Sequence, residues 1–332
     1  MARDPELASF LDEPFPNDLD DIAGTRRILA ARRDEEIADR VESPGGPRWW
    51  DEVIAGPDGT SLTLRIYVDD SEPGPHGALL FFHGGAFVFG DLESEHNRCR
   101  HLARGSGCIV VSVDYRLAPE NPFPAALDDA TTALEWLFEH ADSLGVDPAR
   151  MGIGGASAGG AVASVTALRA RDEGGPGLRA QFLIYPAVDD RASEGSIEQY
   201  MHSEPWDGER TQKMWPLYLS TPSGEESRYA SPMRSEDLSG LPVTYLLVAE
   251  EDPLRDEALN FAQRLLNAGV SVNLRLIAGA FHGFDVVAPN ARLSEFALDE
   301  QREFVVRELG RDEGRWARRA NVHSISPEAL SK

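Results

Sequence analysis

Six short apolar runs pace the chain from residue 78 onward: Ala78–Phe82, Cys108–Val113, Arg150–Gly154, Gln181–Tyr185, Val243–Ala249 and Val272–Ile277. Each is too short to be a buried helix and reads as a strand covered on both faces. Longer stretches with helical spacing lie between and after them, at Ser94–Arg104, Pro124–His140, Ala158–Asp172, Leu254–Ala268 and Ala291–Leu309. Continuous apolar strands separated by helices predict an α/β fold built on a parallel sheet flanked by helices. Upstream, Trp49–Ala55 and Leu62–Val68 read as a hairpin, because Pro57-Asp58-Gly59-Thr60 between them has turn chemistry.

Two regions break the alternation, and the ends stand apart from it. Residues 1–45 are charged with sparse apolar positions, helical in spacing from Asp18 to Val41 and interrupted by Gly24. They cannot build a core alone and are expected to lie on another surface as cap helices. Residues 188–240 are polar and aromatic-rich, and too long for a plain connection. They are expected to form a cap insertion between a first core segment, 46–187, and a second, 241–311. Residues 312–332 read as a C-terminal extension of mixed charge.

Charge narrows the function classes. The chain carries 56 acids against 32 bases, a formal net charge of −24, and all bases but Lys213 and Lys332 are arginine. That balance repels phosphate backbones and argues against nucleic-acid binding. Cys99 and Cys108 supply neither a disulfide framework nor a zinc pattern, so no metal site is expected. The polar start Met1-Ala2-Arg3-Asp4-Pro5-Glu6 lacks an apolar signal core, and no apolar run approaches membrane-spanning length. A soluble cytoplasmic protein is expected.

The chemistry centres on Gly154-Gly155-Ala156-Ser157-Ala158-Gly159-Gly160. A serine between a strand and a small-residue helix can lift its hydroxyl clear of the backbone only if its neighbours are tiny, which is the geometry of a nucleophile elbow. The helix N-terminus would favour developing negative charge. A turning glycine loop remains open, whereas a dinucleotide-binding loop would need glycine where Ser157 stands. Acyl transfer from a serine further requires a base, an acid that orients it, and oxyanion donors. His282, in Gly279-Ala280-Phe281-His282-Gly283-Phe284 after the last apolar run, is the candidate base. A structural histidine in a loop is the rival reading. Asp252, after Val243–Ala249, is the candidate acid; with Pro253 next, an N-cap aspartate is the alternative, and Glu250, Glu251 and Asp256 stand nearby. Candidate oxyanion donors are Gly84 and Gly85, in Phe82-His83-Gly84-Gly85-Ala86-Phe87, together with the Ala158 amide. His83 is expected to shape that loop. The order Ser157, Asp252, His282 matches α/β-hydrolases and not trypsin-like or subtilisin-like proteases.

With these pieces in place the sequence resembles the hormone-sensitive-lipase-like family of α/β-hydrolases, bacterial carboxylesterases with a helical cap. The resemblance rests on His83-Gly84-Gly85-Ala86, Asp114-Tyr115-Arg116-Leu117-Ala118-Pro119-Glu120, Gly155-Ala156-Ser157-Ala158-Gly159-Gly160, Asp252-Pro253-Leu254-Arg255-Asp256-Glu257 and His282-Gly283-Phe284. It implies an eight-stranded, mostly parallel sheet with a helical cap. It implies Ser157 as nucleophile, Asp252 as acid, His282 as base, and Gly84, Gly85 and Ala158 as oxyanion hole. Arg116 and Glu120 would brace the loop beside the site. The implied substrate is a small ester, favoured with short-to-medium acyl chains, with no cofactor and no stable membrane insertion. A homodimer through an exposed sheet edge is implied as well. Ala156 departs from the aspartate or threonine usual before the serine, and Ala86 from a third glycine. Trp206, Trp215 and Tyr218 are candidates for lining an apolar pocket or for packing the cap. Amide, carbamate or N-acyl hydrolysis on the same triad remains open, as does a non-catalytic receptor on the same scaffold.

Overall fold

The computed structural model describes residues 3–11, 15–40, 45–219 and 228–311. The expected C-terminal extension, 312–332, lies outside the described residues. Eight strands form one sheet: β1 (Arg48–Ala55), β2 (Ser61–Val68), β3 (His76–Phe82), β4 (Cys108–Val113), β5 (Val146–Ala156), β6 (Ala180–Ile184), β7 (Val243–Glu251) and β8 (Val272–Phe281). Their order is β1-β2-β4-β3-β5-β6-β7-β8. The β1/β2 and β2/β4 pairs are antiparallel and the remaining pairs parallel. The expected hairpin forms, with Ala55 opposite Ser61 across the Pro57–Gly59 turn.

The helices are α1 (Pro5–Ala8), α2 (Ile22–Asp39), α3 (His96–Ala103), α4 (Ala125–Glu139), α5 (Ala141–Leu144), α6 (Ala158–Glu173), α7 (Gly195–Gln199), α8 (Gly208–Tyr218), α9 (Arg255–Asn267), α10 (Phe284–Val287) and α11 (Arg292–Glu308). Alternate residues of the central strands feed two separate cores, as the two-residue period of a strand requires. Leu80, Phe82, Val111, Val113 and Ile153 pack with residues of α4, α6 and α9 on one face. Leu79, Phe81, Val110, Phe182 and Leu247 pack with residues of α3 and α11 on the other. Burial on both faces explains why these strands read as unbroken apolar runs. Among the described residues no helix is long and apolar enough to cross a membrane.

The topology gathers chemistry at one edge. Strands β3, β5, β7 and β8 run parallel, so the loops after them open on the same side of the sheet. Each of those loops carries one of the candidate site segments.

Candidate active site

β5 ends at Ala156 and α6 begins at Ala158, leaving Ser157 alone in the turn with φ 54° and ψ −120°. A positive φ at a residue with a Cβ costs on the order of 1–3 kcal/mol and persists only where the surroundings enforce it. Here the Ser157 N–H donates to the Ile184 carbonyl at 2.9 Å, and Ser157 O accepts from Gly160 and Ala161 in the first turn of α6. The turn is so tight that a Cβ on Gly159 would fall on the carbonyl oxygens of Phe82 and His83. Small residues around the serine are therefore a steric condition of the turn.

The loops after β7 and β8 deliver the other two groups. His282 Nε2 lies 2.9 Å from Ser157 Oγ, and His282 Nδ1 lies 2.8 Å from Asp252 Oδ2. Asp252 is 1% exposed, while Ser157 and His282 keep 9% and 8%. The Asp252 carboxylate is thus dry, and Ser157 and His282 each retain a face toward a cavity. Helix α9 begins later than Pro253 suggested, with Leu254 as its cap residue. Asp252 nonetheless serves that turn, because its Oδ1 accepts from the Leu254 N–H at 2.8 Å. The alternatives Glu250 and Asp256 bond elsewhere, to Gly279 N and Ser196 N.

The loop after β3 lies beside the serine. A Cβ on Gly84 would meet Ala156 O at 3.2 Å and the Ser157 Cβ at 3.4 Å, and Gly85 adopts φ 122°. The N–H groups of Gly85 and Ala158 have no partner among the described residues. Burial raises the pKa of the Glu95 carboxyl, and the Gly84 backbone beside it acts in the opposite direction. Having no side chain, Gly84 leaves room beside the serine. His83 shapes the loop as expected, its Nδ1 being 2.7 Å from Gly84 O and its ring stacked on Tyr115 at 4.3 Å. Burial lowers the His83 pKa, so the ring is held neutral. Arg116 braces its loop through Asp129, and Glu120 through Arg26.

A cavity of about 160 Å³ opens above Ser157 and His282. Its walls combine Gly84–Ala86 with Phe15, Asn17 and Leu29 from the N-terminal segment and Pro205 and Trp206 from the long insertion. Asn17 Nδ2 donates to Pro205 O, tying those two segments together over the cavity. Of the three aromatic candidates only Trp206 reaches the cavity, its ring 6.2 Å from that of His282. Trp215 and Tyr218 pack instead around Phe87, at 5.1 and 3.9 Å, and are buried in the core. Tyr185, at the end of the apolar run Gln181–Tyr185, and Glu95 also line the cavity, and nothing in the local sequence marked out Glu95. The Tyr185 hydroxyl is held by Arg98 and Asp285, 87 and 100 residues away, beyond the reach of periodicity or short motifs.

The family model for the alpha/beta hydrolase fold matches residues 79–286, the span that holds Ser157, Asp252, His282 and the Gly84–Gly85 loop. The chain belongs to the hormone-sensitive-lipase-like α/β-hydrolases. Esterase LipI of Mycobacterium tuberculosis is 39% identical over 293 residues, covering 85% of this chain and 88% of that protein. Ethyl acetate hydrolase of Pseudomonas putida is 35% identical, over 68% of this chain and 72% of its own length. Among solved structures, a bacterial heroin esterase superposes with a TM-score of 0.87 at 40% identity, covering 93% of this chain and 98% of its own. Esterase LipW from Mycobacterium marinum gives 0.86 at 36% identity, with 92% and 96% covered.

Proposed function

We propose that this carboxylic ester hydrolase acts through a serine acyl-enzyme, with Ser157 as nucleophile, His282 as general base and Asp252 as the group that orients it. The observation that carries the reading is the unbroken relay of hydrogen bonds from Asp252 through both ring nitrogens of His282 to Ser157 Oγ, at 2.8 and 2.9 Å. Asp252 fixes the tautomer with hydrogen on Nδ1, leaving the Nε2 lone pair to take the Ser157 proton as its oxygen attacks the ester carbonyl. The tetrahedral oxyanion is held by the N–H groups of Gly85 and Ala158 in a space left open by Gly84. These three make up the proposed oxyanion hole. Protonated His282 then gives its proton to the leaving alcohol, and water repeats the sequence on the acyl-enzyme.

Short-to-medium acyl chains are the proposed substrates. A cavity of about 160 Å³ is close to the roughly 150 Å³ that holds one benzene in an engineered protein core, which suits an acyl chain of a few carbons. In this reading the described parts of 1–45 and 188–240 form a cap over the cavity, supported by the Asn17–Pro205 bond and by Lys213 on Asp20 at 2.8 Å.

The test is hydrolysis of a p-nitrophenyl ester series from acetate to palmitate, with Ser157→Ala alongside and matched amides as a second series. Ser157→Ala is expected to fall to near background with an unchanged melting temperature, and rates are expected to peak at short acyl lengths. Retained ester turnover in folded Ser157→Ala would overturn the assignment, and faster turnover of the amides would move the substrate class.

A further inference from the structure

Beneath the cavity floor lies a cluster of charged side chains that the acyl-transfer scheme leaves unused. Arg98, on α3, is almost fully enclosed, and every nitrogen of its guanidinium is engaged. Nε donates to Glu95 Oε2 at 2.6 Å, and Nη1 to Asp285 Oδ2 and Gln301 Oε1, both at 2.8 Å. Nη2 donates to the Tyr185 hydroxyl at 3.1 Å, and that hydroxyl in turn donates to Asp285 Oδ1 at 2.7 Å. Donors and acceptors match throughout. The five residues come from four separate parts of the chain, joined only here.

Stability alone does not explain the cluster. Replacing a buried ion pair with well-packed apolar groups is often neutral or stabilising, since desolvation offsets most of the Coulomb gain. What sets this one apart is where its arms end. Glu95 lines the cavity together with Gly84, Gly85 and Ala86 of the oxyanion loop. Tyr185 lines the cavity and lays its ring against His282, centroids 4.8 Å apart at 61°. Asp285 sits three residues after His282, on the single turn that begins at Gly283. Tyr185 also holds a positive φ of 33°, a conformation that needs outside support. One guanidinium thus joins the oxyanion side of the cavity to the base side. Burial disfavours the charged carboxylates, but for Asp285 the Arg98 charge and the Tyr185 and Gln301 hydrogen bonds outweigh it and hold its carboxyl below the usual range.

We propose that Arg98 is a positioning residue for the reaction, setting the pose of His282 and the oxyanion loop through Tyr185, Asp285 and Glu95. This rests on the reading of Ser157 and His282 as the reacting pair. Arg98→Lys keeps a cation beside the two carboxylates, but a single ammonium cannot span all the partners that a planar fork reaches. Tyr185→Phe keeps the ring on His282 and removes only the hydroxyl that ties it to Arg98 and Asp285. A misplacement of about 1 Å at a reacting group costs on the order of 10²-fold in rate. The expected result is a kcat loss of roughly that size for Arg98→Lys and about tenfold for Tyr185→Phe, with KM within about twofold of the parent in both. Both would be measured on p-nitrophenyl butyrate, with urea midpoints recorded and Ser157→Ala run in parallel.

If both variants keep kcat within about twofold while only the urea midpoint drops, the cluster is structural and the proposal falls. If Arg98→Lys does not fold, Tyr185→Phe decides by itself. Turnover that survives in Ser157→Ala would remove the acyl-enzyme reading, and the proposal with it. Loss in Ser157→Ala with full kcat in Tyr185→Phe would remove only the proposal.

Discussion

Asp252 uses its two carboxylate oxygens for different partners. Oδ1 accepts from the Leu254 N–H and shapes the entry to α9, whereas Oδ2 faces His282 Nδ1. An asparagine separates the two duties. Its carbonyl oxygen can still accept from Leu254, but its NH2 would meet the Nδ1–H of His282 and favour the wrong tautomer. Asp252→Asn is therefore expected to lower kcat on the order of 10³–10⁴-fold while the urea midpoint stays close to that of the parent. A variant that loses stability but keeps its turnover would show that Asp252 is only a turn residue. At this scale the sequence was informative where chemistry demands a residue type next to a chain feature. A serine among glycines, and a histidine and an aspartate each following an apolar run, could all be picked out before their contacts were known. Arg98 could not, because an arginine on a short polar helix looks like any solvated charge.

Among the elements, α2 shows how far spacing carries and where it stops. Helical spacing from Asp18 to Val41 predicts a helix, and one forms at Ile22–Asp39. Gly24 does not interrupt it, since it sits in the first turn with its N–H donating to the capping Asp21 at 2.8 Å. The seven-residue interval between Arg26, Arg33 and Arg40 places them along one face, and all three grip segments beside the cavity. Arg33 reaches Asp91 at 2.6 Å and Arg40 reaches Glu93 at 2.7 Å. Arg26 donates to Val88 O and Ala118 O, each at 2.8 Å, as well as to Glu120. These carbonyls belong to buried residues, whereas Glu120 is largely exposed. Stranding a buried acceptor costs about 1–3 kcal/mol, against about 0–1 kcal/mol for an exposed ion pair. Arg26→Ala is thus expected to destabilise the protein by at least about 1–3 kcal/mol, and Glu120→Gln by less than about 1 kcal/mol, in urea unfolding. Equal losses would mean that the ion pair, not the carbonyl bonds, holds α2 down. Strand ends were harder to place. β5 starts at Val146, before the apolar run, and β8 continues to Phe281, past it. Val146 pairs with His76, and Phe281 with Glu251, each across a register shift from the rest of its strand, and such irregular pairing leaves no trace in apolar patterning.

For the whole molecule the alternation of runs and helices was enough to expect the parallel sheet, because strands buried on both faces leave little room for polar residues. The net charge of −24 has no bearing on that fold, but it bears on which substrates reach the site. Nearly all the cations are arginines, and many of them are already committed to local ion pairs, as with Arg33, Arg40 and Arg65. The excess carboxylates therefore set the long-range field. No lysine or arginine lines the cavity among the described residues, and Glu95 does. A field of this kind changes encounter rates by about 10–10³-fold and weakens with salt. The Debye length contracts from roughly 30 Å at 0.01 M to about 8 Å at 0.15 M ionic strength. The pair 4-acetoxybenzoate and 4-acetoxybenzamide isolates the effect, since each carries one ester and they differ mainly in charge. At 0.01 M salt kcat/KM for the anion is expected to be at least about tenfold below that of the neutral ester. At 0.15 M the gap is expected to narrow. A gap that does not move with salt would place the discrimination inside the cavity, where solvent ions do not screen.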